Sequence, residues 1–335
     1  MHERRTDHKE LPVVRLILAL PFLEAARAVG VDLDATLLSF GLNSLAFDNP
    51  DMFVPASTMY DMVEALSDAI GDPHIGAKLG LHLNFQEWSP FINAAKHSNS
   101  VGDFLLRFCI DAYRDANSVV FQLQTKGSRT TFQETRVSDG ARSPRHNDAF
   151  GVGYILQIIR SAVGENWNGR EVIAKVYDPS AIPEDFFGIR VATTNTSGFA
   201  VSFPCEWLLL KPALTSSASF GETSISSQPA PESILEVLHH VLDSNLGNPQ
   251  LNSVRIAQLC GLSQRTLSRK LAKVDTTLNT ELAFLRRQRA QTYLANSDLS
   301  IGAISLKVGY SDPAVFTRAF RRWTGTTPTK YRSSQ

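Results

Sequence analysis

The spacing of apolar residues along the chain changes character several times. In 55–70, Met59, Met62, Val63, Leu66 and Ile70 recur at the period of one helix face, and Gly71-Asp72-Pro73 ends the run. Similar helical patterns cover 11–29, 101–115 and 148–163. Within the first of these, Leu16–Leu23 is apolar but short, and Glu24 and Arg27 continue the helical pattern. It therefore reads as a core-facing helix and not as an export signal. Elsewhere the period drops to two. Val119–Gln124 and Thr130–Val137 read as strands joined by a turn at Lys126-Gly127-Ser128, and Val172–Tyr177 and Phe199–Phe203 follow as further strands. Strand and helix do not alternate cleanly, so this body of the chain is expected to be α+β and not a doubly wound sheet.

From residue 232 onward the pattern is helical throughout. Ile234, Leu235, Val237, Leu238, Val241 and Leu242 form one stripe, which Gly247-Asn248-Pro249 ends. A short helix with Ile256, Ala257 and Leu259 inward, capped by Ser253, then meets Gly261, and Ser263 caps a second helix over 264–273. Leu267 and Leu271 bury one side of that helix, leaving Arg265, Thr266, Ser268 and Arg269 on the other. Long donors near a helix start are what a major-groove recognition helix needs. The unit then repeats. Ile304, Gly309 and Ser311 lie 48 residues after Ile256, Gly261 and Ser263, whereas Phe316 and Phe320 lie 49 after Leu267 and Leu271. One extra residue therefore sits near the start of the second recognition helix, expected over 312–323, with Thr317, Arg318, Arg321 and Arg322 outward. Pro313 is harmless in its first turn. Between the units, 278–296 reads as one connector helix with Leu278, Leu282, Leu285, Tyr293 and Leu294 facing them. Such a connector matters because two recognition helices share one face of DNA only when about 34 Å apart.

Composition sharpens the division. Residues 215–231 read TSSASFGETSISSQPAP, with six serines, two threonines and two prolines, a composition that cannot offset its ordering entropy. The expected organisation is thus a body over 1–214, a flexible linker over 215–231 and a tail over 232–335. The formal charge of zero conceals an asymmetry: 14 Lys+Arg against 7 Asp+Glu in 232–335, and 19 against 26 before it. Only the tail is suited to a polyanion.

Other chemistry is sparse. Cys109, Cys205 and Cys260 are far apart and without nearby histidine clusters, so no zinc site or disulfide framework is expected, nor any cofactor. His239 and His240 lie at the polar margin of a helix and read as structural. Phe85, Trp88 and Phe91 read as core in preference to a ligand pocket. Gly151-Val152-Gly153 lacks the third glycine and the preceding strand of a dinucleotide site, and no hydrolase, zincin or phosphate-loop motif occurs. The chain is not expected to be an enzyme or to cross a membrane, lacking any apolar run of about 18 residues.

The tail resembles the DNA-binding domain of the AraC/XylS family of bacterial transcription regulators over about Val254–Arg332. The sharpest stretch is Lys307-Val308-Gly309-Tyr310-Ser311-Asp312-Pro313-Ala314-Val315-Phe316-Thr317-Arg318-Ala319-Phe320-Arg321-Arg322-Trp323, continued by Gly325, Pro328 and Tyr331-Arg332. Arg287 departs from the family, whose members more often carry an apolar residue there. The resemblance implies that Gln264, Arg265, Thr266, Ser268 and Arg269 face bases in one groove segment, and Pro313, Ala314, Thr317 and Arg318 in the next. Lys273, Arg321 and Arg322 are expected on phosphates. The body more loosely resembles the arabinose-binding-type N-terminal region of one branch of that family. Leu37-Leu38-Ser39-Phe40-Gly41-Leu42, Val54-Pro55 and Gly71–Gly80 carry this likeness, which implies effector sensing and dimerisation.

The fold class expected is an α+β N-terminal effector domain followed by an all-α domain with two helix-turn-helix units joined by a connector helix. The function expected is a cytoplasmic, nucleoid-associated, homodimeric regulator binding double-stranded promoter DNA, a small-molecule effector and RNA polymerase. The sequence does not assign the effector-binding residues. The rivals are an enzyme or repair protein with a DNA-targeting tail, which lacks motif support, and an architectural binder, for which the acidic body is superfluous.

The charge division has a direct test. A fragment of residues 232–335 is expected to fold alone and to bind DNA with affinity that falls steeply between about 50 and 200 mM salt. A fragment that stays unfolded, or an affinity indifferent to salt, contradicts the boundary or the electrostatics.

Overall fold

A computed structural model describes residues 11–213 and 230–334, apart from 43, 50, 86–88, 138, 232, 249 and 250. Trp88 and all of the serine-rich segment except 230 and 231 lie outside the described residues. The chain divides into two compact units, Met1–Glu232 and Ser233–Gln335. Among the described residues no helix is long and apolar enough to cross a membrane.

The first unit begins with a correction. Where the apolar period predicts helix from residue 11, the chain forms strand β1 (Val13–Arg15), one 3-10 turn, and only then α1 (Leu20–Ala28). The cause is tertiary. After α2 (Leu33–Leu38) comes β2 (Phe53–Pro55), which pairs antiparallel with β1 through Val13–Pro55, Val14–Val54 and Arg15–Phe53. Arg15 is buried, its Nε 2.6 Å from Asp115 Oδ1 and its Nη1 2.9 Å from Asp51 Oδ1. These long-range partners override a local period that fits a helix equally well.

Helices α3 (Ala56–Ile70), α4 (Ile75–Leu81), α5 (Ser89–His97) and α6 (Val101–Asp111) follow. The hairpin β3 (Val119–Lys126) and β4 (Arg129–Arg136) turns at Gly127, which has positive φ. Then come α7 (Arg145–Val163), β5 (Ile173–Val176), β6 (Arg190–Thr193) and β7 (Phe199–Pro204). The five-stranded sheet has the order β3-β4-β7-β5-β6, antiparallel except for the parallel β5–β6 pair. The sequence pattern misses β6 because this short strand is mostly exposed and contributes almost no apolar alternation.

The core gathers where α6 and α7 meet the sheet. Phe91 stacks on Phe108 with centroids 4.4 Å apart, and Phe85 meets Phe91 edge-on at 4.9 Å, so both Phe85 and Phe91 are core residues. Helices α4 and α7 touch backbone to backbone. A methyl group on Gly76, Gly80 or Gly153 would strike the carbonyl of His146, Phe150 or Ala77 respectively. Gly153, half of the sequence's Gly-Val-Gly, therefore serves helix packing.

Polar groups are also buried here. Thr130, Phe132, Glu134 and Arg136 form the inward side of β4. Arg136 binds Asp148 of α7 through both terminal nitrogens and Asp139 through Nε at 2.9 Å. Glu64 of α3 accepts the backbone N–H of His146 at 2.8 Å, so one helix supplies the missing cap of another. Burial pushes the Glu64 carboxyl up from 4.5 to about 7.

Glu64→Ala is expected to cost about 1–3 kcal/mol by orphaning the buried His146 N–H, and Glu64→Gln much less. The folded state binds the Glu64 proton more tightly than the unfolded chain, so this residue's contribution to stability is lost as pH rises through about 7. Glu64→Gln removes that dependence. Thermal melts of the three proteins at pH 5 and pH 8 check both statements.

Candidate nucleic-acid interface

The second unit contains seven helices among the described residues: α8 (Ile234–Asn245), α9 (Ser253–Leu259), α10 (Gln264–Ala272), α11 (Leu278–Asn296), α12 (Ile301–Lys307), α13 (Pro313–Thr324) and α14 (Pro328–Arg332). The pairs α9–α10 and α12–α13 turn in the same way. Gly261 and Gly309 have φ of 66° and 81°. Leu262 N–H donates to Ala257 O and Gly261 N–H to Gln258 O, while Tyr310 N–H donates to Ser305 O and Gly309 N–H to Leu306 O. This is one Schellman turn used twice, and glycine adopts its left-handed position without a Cβ penalty.

One cap and one helix start differ from the sequence expectation. Asn252, not Ser253, caps α9, its Oδ1 accepting Arg255 N–H at 2.9 Å. Ser253 is the first residue of the helix, and its hydroxyl accepts Gln264 Nε2–H at 3.0 Å. Ser263 caps α10 as expected, accepting Thr266 N–H. In the second unit α13 starts at Pro313, and Asp312 takes the capping role, accepting Ala314 N–H at 2.7 Å. The extra residue implied by the change of offset from 48 to 49 therefore belongs to the turn. Ser311 stands in that turn.

Gln264, Arg265, Ser268 and Arg269 are exposed on α10, with Thr266 half-buried and its hydroxyl 2.9 Å from Ser263 Oγ. Pro313, Ala314 and Arg318 are exposed on α13, with Thr317 half-buried and donating its hydroxyl proton to the Pro313 carbonyl at 2.8 Å. Lys273, just after α10, and Arg321 and Arg322 at the far end of α13 are exposed as well. Arg265 and Arg269 of α10, and Ala314 and Arg318 of α13, thus lie on the side away from the buried pair, Leu267 and Leu271 or Phe316 and Phe320, while Gln264 and Pro313 are exposed at the helix starts.

The cations divide into two groups. Arg289 binds Asp243 through Nε and Nη2 at 2.8 and 2.6 Å, tying α11 to α8. Arg286 donates to the Gly309 carbonyl at 3.2 Å and lies over the Tyr310 ring at 4.8 Å. Arg332 donates to Leu299 O at 2.7 Å. By contrast, among the described residues Arg265, Arg269, Lys273, Arg318, Arg321 and Arg322 take part in no ion pair. Six cations unneutralised by the protein are what a phosphate backbone requires.

The connector α11 buries Leu285, Ala290 and Leu294, with Leu278, Leu282 and Tyr293 half-buried. His239 of α8 donates to Glu281 Oε2 at 2.6 Å, which makes it structural. Burial alone would raise the Glu281 carboxyl, but hydrogen bonds from Thr276 and His239 outweigh it and hold the group below its usual range. The sequence reading missed Arg286 and the Asp243–Arg289 pair. Their surface-like periodicity does not reveal the backbone carbonyl and carboxylate they reach.

Comparison with known proteins assigns the two units. A profile described as a helix-turn-helix domain matches residues 256–334, and one described as the arabinose-binding domain of AraC transcription regulators matches residues 30–211, more than half of the chain. The ornithine utilization regulator of Pseudomonas aeruginosa is 30% identical over 348 aligned positions, covering 96% of this chain and 97% of that one. The regulator VqsM of the same organism is 27% identical over 276, covering 77% and 83%. Among solved structures, the regulator CdpR, also from P. aeruginosa, aligns over 93% of this chain and 98% of its own at 19% identity and a TM-score of 0.36. On the profile match and the full-length relative, the chain belongs to the AraC family of transcription regulators, with an arabinose-binding-type effector domain followed by a DNA-binding domain of two helix-turn-helix units.

Proposed function

We propose that residues 1–214 sense a small-molecule effector and residues 232–335 read promoter DNA, with 215–231 between them. The observation that carries the DNA-reading assignment is a division of cations in the second unit: Arg286, Arg289 and Arg332 are engaged within the fold, whereas among the described residues Arg265, Arg269, Lys273, Arg318, Arg321 and Arg322 take part in no ion pair. In this reading Gln264, Arg265, Thr266, Ser268 and Arg269 contact bases in one major-groove segment, and Pro313, Ala314, Thr317 and Arg318 in the next. Lys273, Arg321 and Arg322 hold phosphates.

The two helices read with unequal stringency. α10 offers two arginines, each able to grip a guanine edge with two hydrogen bonds. α13 offers Pro313 and Ala314, which have no side-chain donors, and Thr317, whose proton is already given to the Pro313 carbonyl. Its contribution is apolar contact with thymine methyls plus Arg318. The protein acts as a homodimer in the cytoplasm, on the nucleoid, and meets RNA polymerase at the promoter. It works by binding and not by catalysis, as regulators do among its relatives.

Arg269→Ala is expected to weaken binding to the specific site by about 1–3 kcal/mol and to relax preference at one base position. A titration across base variants of the protein's own upstream region checks this, and unchanged affinity with unchanged preference would overturn the assignment. Effector control predicts a second outcome. An effector favouring the DNA-competent state binds the full-length protein more tightly when operator is present, by a factor equal to its effect on operator affinity, and does not bind the isolated tail. Calorimetry with and without operator measures both. A ligand that binds the tail, or regulated expression that survives deletion of the body, excludes the sensor role.

A further inference from the structure

The body has a cavity of about 80 Å³ between α1, α3, α6, the β3–β4 hairpin and α7, open to solvent at its mouth. Its walls are apolar, with six aromatic side chains among them: Phe22, Tyr60, Phe108, Phe121, Phe150 and Tyr154. These rings brace one another. Phe108 meets Phe121 edge-on at 4.7 Å and Phe150 meets Tyr154 edge-on at 5.7 Å.

One charged residue lines this space, the carboxylate of Glu134, which is only 6% exposed. No lysine, arginine or histidine is among the described lining residues. Glu134 is also short of partners. Among the described residues the guanidinium in reach is that of Arg136, which faces three carboxylates. Asp148 takes both terminal nitrogens, Asp139 takes Nε at 2.9 Å, and Glu134 shares Nη1 at 3.4 Å. A carboxylate buried with so little of a cation is pushed up from 4.5 to about 7 by its burial. Beyond it the cavity offers the Asn147 amide and the hydroxyls of Tyr60 and Ser118, whose oxygens are 3.5 Å apart.

We infer that this cavity binds an organic cation, a protonated amine on an apolar, ring-sized body, with its nitrogen at Glu134 and its body among the aromatic rings. The electrostatics select the sign of the ligand. A cation supplies the counter-charge that Arg136 divides among three acids, and ring faces attract it further. A carboxylate-bearing ligand would meet Glu134 with no lining cation to receive it. A neutral alcohol could fill the space but would add no counter-charge to the share of Arg136 that Glu134 holds. The inference rests on the sensor reading of the body and adds the site and the charge class of its ligand.

The test uses three probes of one shape, phenethylamine, 2-phenylethanol and phenylacetate, with the full-length chain, read by calorimetry and thermal shift. Phenethylamine is expected to bind at least tenfold more tightly than 2-phenylethanol, with phenylacetate weakest. Glu134→Gln is expected to abolish the preference of amine over alcohol. Glu134→Asp, which keeps the charge, retains it, and so does Asp139→Asn, whose carboxylate does not line the cavity. The Asp variant also serves if the Gln variant does not fold. Equal binding of amine and alcohol by the native chain, a preference that survives Glu134→Gln, or no binding by any probe would overturn the inference. The linkage between effector and operator judges the sensor reading separately, because it assumes nothing about Glu134.

Discussion

The DNA-binding domain depends on a close approach at Gly309. A side chain there would collide with the carbonyl of Leu246 at the end of α8, and the residue's positive φ excludes most alternatives in any case. From the other side Arg286 of α11 donates to the Gly309 carbonyl and covers Tyr310. The turn that aims α13 is thus held between two helices that are themselves joined by Asp243–Arg289 and His239–Glu281. The hydrophobic cluster of Ala290, Leu294, Ile304, Val308, Phe316 and Phe320 fills the space beneath. Polar clamps fix direction and the apolar cluster supplies the driving force. Presentation of Arg318, Arg321 and Arg322 follows from both.

How much of this was legible in the sequence varied with how local its cause was. Both helix-turn-helix units were, because Gly261, Gly309, Ser263 and the paired apolar residues act within one or two turns of chain. Strand β1 was not. Its apolar positions satisfy a helix as well as a strand, and Arg15, which decides the matter, finds its acids 36 and 100 residues away. The cap of α9 was assigned one residue late because Asn252 and Ser253 are both good capping residues. The outward position of Arg265, Ser268 and Arg269 on α10 and of Arg318 on α13 was legible from periodicity, whereas the role of Arg286 was not, since nothing local separates it from its neighbours Arg287 and Arg289.

The two units manage buried charge differently. In the tail, ion pairs lie near the surface and brace helices, as with Arg289 and Asp243, both of which remain partly exposed. In the body, Arg136 and Asp148 are each 1% exposed in their side chains and lie beneath the sheet. Such a pair contributes little net stability but severely penalises loss of one partner. It therefore ties the conformation of β4 to that of α7, two elements that also wall the cavity.

The additional residue in the second turn means that the two reading helices are not interchangeable at a fixed spacing. Side chains advance about 100° around a helix per residue. Transplanting the exposed face of α10 onto α13 at an offset of 48 would swing every grafted side chain by that angle and set some of them against the core. At an offset of 49, Gln264 and Arg265 land on Pro313 and Ala314, and Ser268 and Arg269 on Thr317 and Arg318. Any exchange of exposed residues between the two helices must respect that phase.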